Sequence, residues 1–238
     1  MKSSGIKTST VLASFLLAAC LSMRAEVKLP AIFSDGMVMQ QQTNANLWGT
    51  ATPNKKVTVT TGWNGKQYAV TADKNGSWKL SVSTPEAGGP YTITFDDGTQ
   101  KTLNNILIGE LWLCSGQSNM EMPMKGFKNQ PVKNANMDIL HSKNPSIRLF
   151  TVKRTSTFTP QNDVIGSWKE ATPVSVRDFS ATAYYFGRLV NEILDVPVGL
   201  IVAAWGGSAC EAWMTADWLK AFPDAKIPKS EEDIKSKN

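Results

Sequence analysis

Ile106-Leu-Ile-Gly-Glu-Leu-Trp-Leu-Cys-Ser-Gly-Gln-Ser-Asn-Met-Glu-Met122 is the stretch on which the reading of this chain turns. Ile106 to Cys114 is a run of apolar and β-prone residues bounded by small and polar ones, with the length of a buried strand rather than a helix. Ser115-Gly-Gln-Ser-Asn119 then breaks the run with a flexible glycine, two hydroxyls and two amides. Open α/β sheets bind ligands at the carboxyl ends of their strands, which makes Ser118 a candidate nucleophile and Gln117 and Asn119 candidate substrate-binding side chains. Taken alone, the same residues also suit a plain turn that caps the next helix.

Upstream, residues 26–105 read as an all-β domain. Val57-Thr-Val-Thr60, Gln67-Tyr-Ala-Val-Thr71, Trp78-Lys-Leu-Ser-Val82 and Tyr91-Thr-Ile-Thr-Phe95 alternate apolar with polar residues. Asn64-Gly65, Asn75-Gly76 and Asp97-Gly98 between them are dipeptides that accept the positive φ of tight hairpins, so the expected sum is a small antiparallel β-sandwich. Trp48, Trp63, Tyr68 and Trp78 are suited either to stack on sugar rings or to fill its core.

Downstream, residues 106–238 change to alternating strands and helices. Ile147–Val152 reads as a second strand, Ser180–Leu194 as a helix, and Val198–Ala204 as a third strand, with Asp195 and Pro197 ending the helix. This βαβ rhythm predicts a parallel sheet covered on both faces. Trp205-Gly-Gly-Ser208 follows the third strand as Gly116-Gln-Ser118 follows the first, so both turns are expected at one sheet edge, where glycine N–H groups can hold a developing oxyanion. Glu211 suits either a substrate hydroxyl or the first turn of the next helix, and Trp213 either a pocket wall or a core.

With 238 residues, 42% of them hydrophobic, the chain can bury one large or two smaller cores. Its net charge of +5 is spread over scattered lysines, and no nucleic-acid motif accompanies it. Residues 1–25 have the basic start and the short apolar run of a signal peptide, too short for a stable transmembrane span, which places the mature protein in the periplasm or outside the cell. Leu17-Ala-Ala-Cys20 has the form of a lipoprotein box that would put a lipid anchor on Cys20, whereas cleavage after Ala25 would leave Glu26 as the amino terminus. Cys114 and Cys210 each flank a candidate site segment and are open to bridging or to remaining free thiols.

Leu113-Cys-Ser-Gly-Gln-Ser-Asn-Met120, preceded by Gly109-Glu-Leu-Trp112, resembles the first signature block of the sialate O-acetylesterase family, a branch of the SGNH hydrolases. Leu29–Gln40, Tyr185-Phe-Gly187, Pro197–Ile201, Trp205–Ser208 and Glu211–Met214 resemble that family in the same order. The resemblance implies a partial α/β/α SGNH-type domain behind the sandwich, and a serine esterase that removes acetyl groups from O-acetylated sialic acid or a related sugar. It implies Ser118 as nucleophile and an oxyanion hole built from the N–H groups of Ser118 and Gly207, with Gly206 the neighbouring alternative. No metal or organic cofactor is expected, since neither metal-ligand spacing nor a dinucleotide fingerprint is present.

A serine nucleophile needs a base, ordinarily a histidine oriented by a carboxylate. The one histidine, His141, stands in Asp138-Ile-Leu-His141, which has the Asp-x-x-His form of the family pair but lies between the first two strands instead of after the last. It reads instead as the end of a short helix over Asn134–Ser142. The family's downstream Trp-Tyr-Gln-Gly-Glu block does not occur, so the chain reads as the amino-terminal part of a longer enzyme whose catalytic histidine lies beyond residue 238. The alternative is a carbohydrate-binding module with a degenerate hydrolase half.

Overall fold

The computed structural model describes residues 26–225, 227–230, 232 and 233; the leader proposed for residues 1–25, with Cys20, lies outside them. The first half forms β1 (Val38–Gln40), β2 (Asn44–Thr50), β3 (Lys56–Thr61), β4 (Gln67–Thr71), β5 (Ser77–Ser83), β6 (Gly88–Asp96) and β7 (Gln100–Gly116). Then follow α1 (Ser118–Glu121), α2 (Ala135–Leu140), β8 (Asn144–Thr151), β9 (Trp168–Ala171), α3 (Pro173–Arg177), α4 (Ala181–Leu194), β10 (Val198–Ala204), a 3₁₀ turn at Cys210–Trp213 and α5 (Ala216–Leu219). Among the described residues no helix is long and apolar enough to cross a membrane.

The large sheet has the order β4-β3-β6-β7-β10-β8-β9, with β1 beside β7, while β2 and β5 form a separate ribbon. β10 runs parallel to β7 on one side and to β8 on the other, and β3, β4 and β6 join antiparallel, so the class is mixed α/β with parallel strands at the centre of the second half. Side chains alternate across β10 as a pleated strand requires. Val198, Leu200 and Val202 join Ile147 and Leu149 against Ala183 and Tyr184 of α4, whereas Ile201 joins Phe150 and Trp168 in the core that holds Leu47, Ile93 and Phe95. One face of the parallel strands is therefore covered by helices and the other by the β-rich half, rather than by a second helical layer.

β7 is longer than the expected Ile106–Cys114 strand. It pairs antiparallel with β6 over Gln100–Ile108 and parallel with β10 over Glu110–Gly116, so a single strand serves both halves. Asn105 sits in it at φ 56°, where the register with β6 slips. The turns at Asn64-Gly65 and Asp97-Gly98 close hairpins as expected. Asn75-Gly76 does not: β5 pairs with β2, and the turn carries the chain from one sheet to the other. The helix expected at Ser180–Leu194 forms with Ser180 as its N-cap, its Oγ accepting from Ala183 N, and ends at Asp195 in a left-handed conformation.

Arg148 ties the halves together from a position only 3% exposed. Its guanidinium donates to Pro145 O at 2.8 Å and Asn105 Oδ1 at 3.1 Å, lies 3.4 Å from Gly36 O, and pairs with Glu170 at 3.2 Å. Burial pulls its pKa below the ordinary arginine value, and Glu170 opposes that pull. Hydrogen bonds from a charged group contribute about 1.5–3 kcal/mol each, so Arg148→Ala is expected to cost about 3 kcal/mol in urea unfolding. Glu170, with its side chain 47% exposed, is expected to cost no more than about 1 kcal/mol as Glu170→Gln.

α2 docks on α4 through Asp138, whose carboxylate accepts from Tyr185 Oη at 2.7 Å and Arg188 Nη1 at 2.8 Å. The bonds from Arg188 and then Tyr185 hold the Asp138 carboxyl below its ordinary value, while burial and the bond to Asp138 push Tyr185 up to about 12. Folding therefore holds the phenolic proton more tightly than the unfolded chain does. That stability is complete below the ordinary tyrosine value of about 10 and is lost as pH rises from there through about 12. A phenolate absorbance titration is expected to find one tyrosine, Tyr185, ionising near 12, and Asp138→Asn is expected to bring it down toward 10.

Candidate active site

The parallel ladder places the two candidate turns side by side. Ala204 is in register with Gly116, and Trp205 N continues the pairing by donating to Gly116 O at 3.0 Å. Gly116, at φ +154°, takes the chain out of β7 in a conformation that side-chain-bearing residues rarely adopt, and α1 begins at Ser118 directly after it. Ser118 is exposed at the start of that turn, and neither its hydroxyl nor its N–H is used in a hydrogen bond among the described residues.

Two further links stitch the turns together, and a third bond closes the glycine turn on itself. The Gln117 side-chain amide donates to Ser208 O, Gly206 N donates to Glu121 Oε2 at 2.5 Å, and Ser208 Oγ donates to Trp205 O at 2.7 Å. Trp213 Nε1 in turn donates to Ser208 Oγ at 2.8 Å. Glu121 is further ion-paired with Arg154, whose guanidinium lies 5.9 Å from the centre of the Trp205 ring.

The glycines have different situations. A methyl group on Gly206 would lie 3.4 Å from Ser118 Cα and Cβ and 2.6 Å from Glu121 Oε2, so this residue abuts the candidate nucleophile while its N–H is committed to the carboxylate. Gly207 adopts φ +78° with open space around it, and among the described residues its N–H donates to no acceptor. An N–H free of protein partners is the kind an oxyanion hole uses.

The other candidates fall as follows. Gln117 is turned toward Ser208. Asn119 is exposed, its carbonyl accepting from Thr182 Oγ1 at 2.9 Å. Glu211 lies exposed in the 3₁₀ turn that stands where a helix was expected, and no hydrogen bond or ion pair joins it to the Ser118 segment. Trp213 is 44% exposed, which excludes the core position. Cys114 is buried and Cys210 exposed, both free thiols, and burial raises the Cys114 pKa. His141 is the exposed C-cap of α2, and both carboxylate oxygens of Asp138 are already taken by Tyr185 and Arg188, so the pair does not form an oriented Asp–His couple. Among the described residues no cluster of three or more metal-ligating side chains occurs.

Glu121 and Arg154 escaped the sequence reading. Glu121 stands three residues after Ser118, one helical turn on, and Arg154 follows β8 at the carboxyl edge of the sheet, but their pairing joins segments that the sequence leaves far apart. Beside them a cleft of about 420 Å³ opens at the ends of β8 and β10, with Lys125, Lys153 and Arg154 on its walls.

No family model matches the chain. It is 28% identical over 212 residues to sialate O-acetylesterase from Homo sapiens and 31% identical over 204 residues to that from Mus musculus, covering 82% and 78% of this chain. It spans only 40% and 37% of the length of those relatives. The crystal structure of a carbohydrate acetylesterase from Xanthomonas citri matches with a TM-score of 0.76 and 33% identity, over 82% of this chain and 44% of that one. The matches agree with the ordered motifs and with the geometry at the ends of β7 and β10: the chain belongs to the sialate O-acetylesterase family.

Proposed function

We propose that the chain carries the nucleophile and oxyanion hole of a serine esterase that removes O-acetyl groups from sialic acid or a related sugar. The observation that carries this is the exposed Ser118 abutting the Trp205–Ser208 turn at the carboxyl edge of the sheet, with the Ser118 and Gly207 N–H groups unpaired among the described residues. Ser118 Oγ attacks the acetyl carbonyl carbon, the two N–H groups hold the oxygen as it becomes negative, and the sugar oxygen leaves with a proton. Water then hydrolyses the acetyl-Ser118 ester to acetate. Losing one such donor costs about 2.7–4 kcal/mol of transition-state stabilisation. Glu121 fixes the glycine turn by holding Gly206 N.

The base that takes the Ser118 proton is not His141 in this proposal, because Asp138 is bonded elsewhere; it belongs to residues outside those described. The exposed apolar surface beside β7 supports the same view. Glu110–Gly116 pairs with β10 on one edge only, and Trp112 and Leu113 are 42% and 69% exposed there, which suits further strands of a complete α/β/α hydrolase domain. The proposal includes a β-sandwich over residues 26–105, a partial esterase domain over 106–238, and export to the periplasm or beyond.

Acetate release from O-acetylated sialic acid tests it. Once a histidine base is supplied by residues outside those described, Ser118→Ala is expected to lower the rate by at least about 1,000-fold, and His141→Ala to leave it unchanged. Equal loss from His141→Ala would make His141 the base and overturn the assignment.

A further inference from the structure

A second cleft, of about 630 Å³, lies away from Ser118, where the ribbon of β2 and β5 meets the chain between β8 and β9. Trp48 and Trp78 line it, with Lys28, Lys79, Ser77 and Asp163 among the polar groups. Its far wall is fixed in place: Trp48 Nε1 donates to Asn162 O at 3.0 Å, and Ala31 N donates to Asp163 Oδ1 at 2.8 Å. Trp78, only 4% exposed, has a buried indole N–H with no acceptor. Natural interiors leave few such donors unpaired.

The charges at this cleft are unbalanced. Lys28 and Lys79 are exposed and have no ion-pair partner among the described residues, whereas Asp163 Oδ1 is engaged by the N–H groups of Ala31 and Val164. Two cations against one carboxylate leave a net positive site. Trp78 belongs to the core, so the half-buried Trp48 indole is the aromatic wall that, with a few fixed polar groups, suits a pyranose ring, and the lysines suit a ring that carries a carboxylate.

We propose that this cleft is a second glycan subsite that binds an acidic sugar residue, separate from the acetyl ester held at Ser118. The chain leaves the Ser118 edge at Arg154 and reaches the cleft at Asn162, a stretch whose extended reach is at most about 30 Å. An oligosaccharide is therefore long enough to touch both sites, and the cleft keeps the glycan close while acetyl groups are removed.

The test is titration of the folded chain with sialyllactose, followed by amide NMR shifts, with lactose as the neutral comparison. Saturable binding is expected, at least about 10-fold weaker for lactose and for the Lys28→Ala/Lys79→Ala double variant, and also weakened by Trp48→Ala. The two lysines are exposed, so the double variant reports on binding even where Trp48→Ala disturbs folding. Ser118→Ala is expected to bind as the parent does, which keeps this result independent of whether acetate release succeeds. Absence of saturable binding, equal affinity for lactose, binding indifferent to the lysine pair, or binding lost in Ser118→Ala would each overturn the proposal.

Discussion

The parallel ladder between β7 and β10 is the constraint on which the rest depends. Seven consecutive pairs, from Glu110 with Val198 to Gly116 with Ala204, bring two chain segments about ninety residues apart to the same end of the sheet in fixed register. A slip of one residue would send every side chain of a strand to the opposite face, and both faces here are packed. Register at the site is thus enforced by the cores beneath it. The glycine turn and Ser118 inherit their alignment from Leu200, Ile201 and Val202 several residues away.

The same strand gives the β-rich half its role. β7 runs from the hairpin with β6 into the parallel sheet without interruption, and the core around Leu47, Ile93 and Phe95 continues into Phe150, Trp168 and Ile201. Arg148 closes the junction by bonding the loop before β1, the kink at Asn105 and β9 at once. The β-rich half is consequently one wall of the parallel sheet. A cleft that uses Trp48 from one half and Asn162 from the other is a direct result of that construction.

Much of this was legible in the sequence where physics acts locally. Period-two alternation located β3 to β6, the apolar run located β10, and Ser180 with Asp195 bounded α4, because each signal lies within the element it specifies. β7 extends beyond the stretch its sequence marks because Asn105 breaks the alternation, and the pairing that extends it comes from β6. The Asn75-Gly76 dipeptide specifies a tight turn but not which strand follows into which sheet, so its sequence alone suggests a hairpin. Ser118 and the glycine turn were visible as motifs, but the Glu121 bond to Gly206 N was not, since it joins residues 85 apart in the chain. That bond bears on which glycine is free to act.

The central claim is that Ser118 and the Gly207 N–H form one catalytic site, with Gly206 held back by Glu121. The most direct measurement is a crystal structure of the chain after reaction with an alkyl fluorophosphonate, whose tetrahedral adduct mimics the acyl-transfer intermediate. The account predicts phosphorus on Ser118 Oγ and its free oxygen within hydrogen-bond distance of the Ser118 and Gly207 N–H groups, with Gly206 N still bonded to Glu121. An adduct on another serine, or an oxygen bound by Gly206 after release from Glu121, would contradict it.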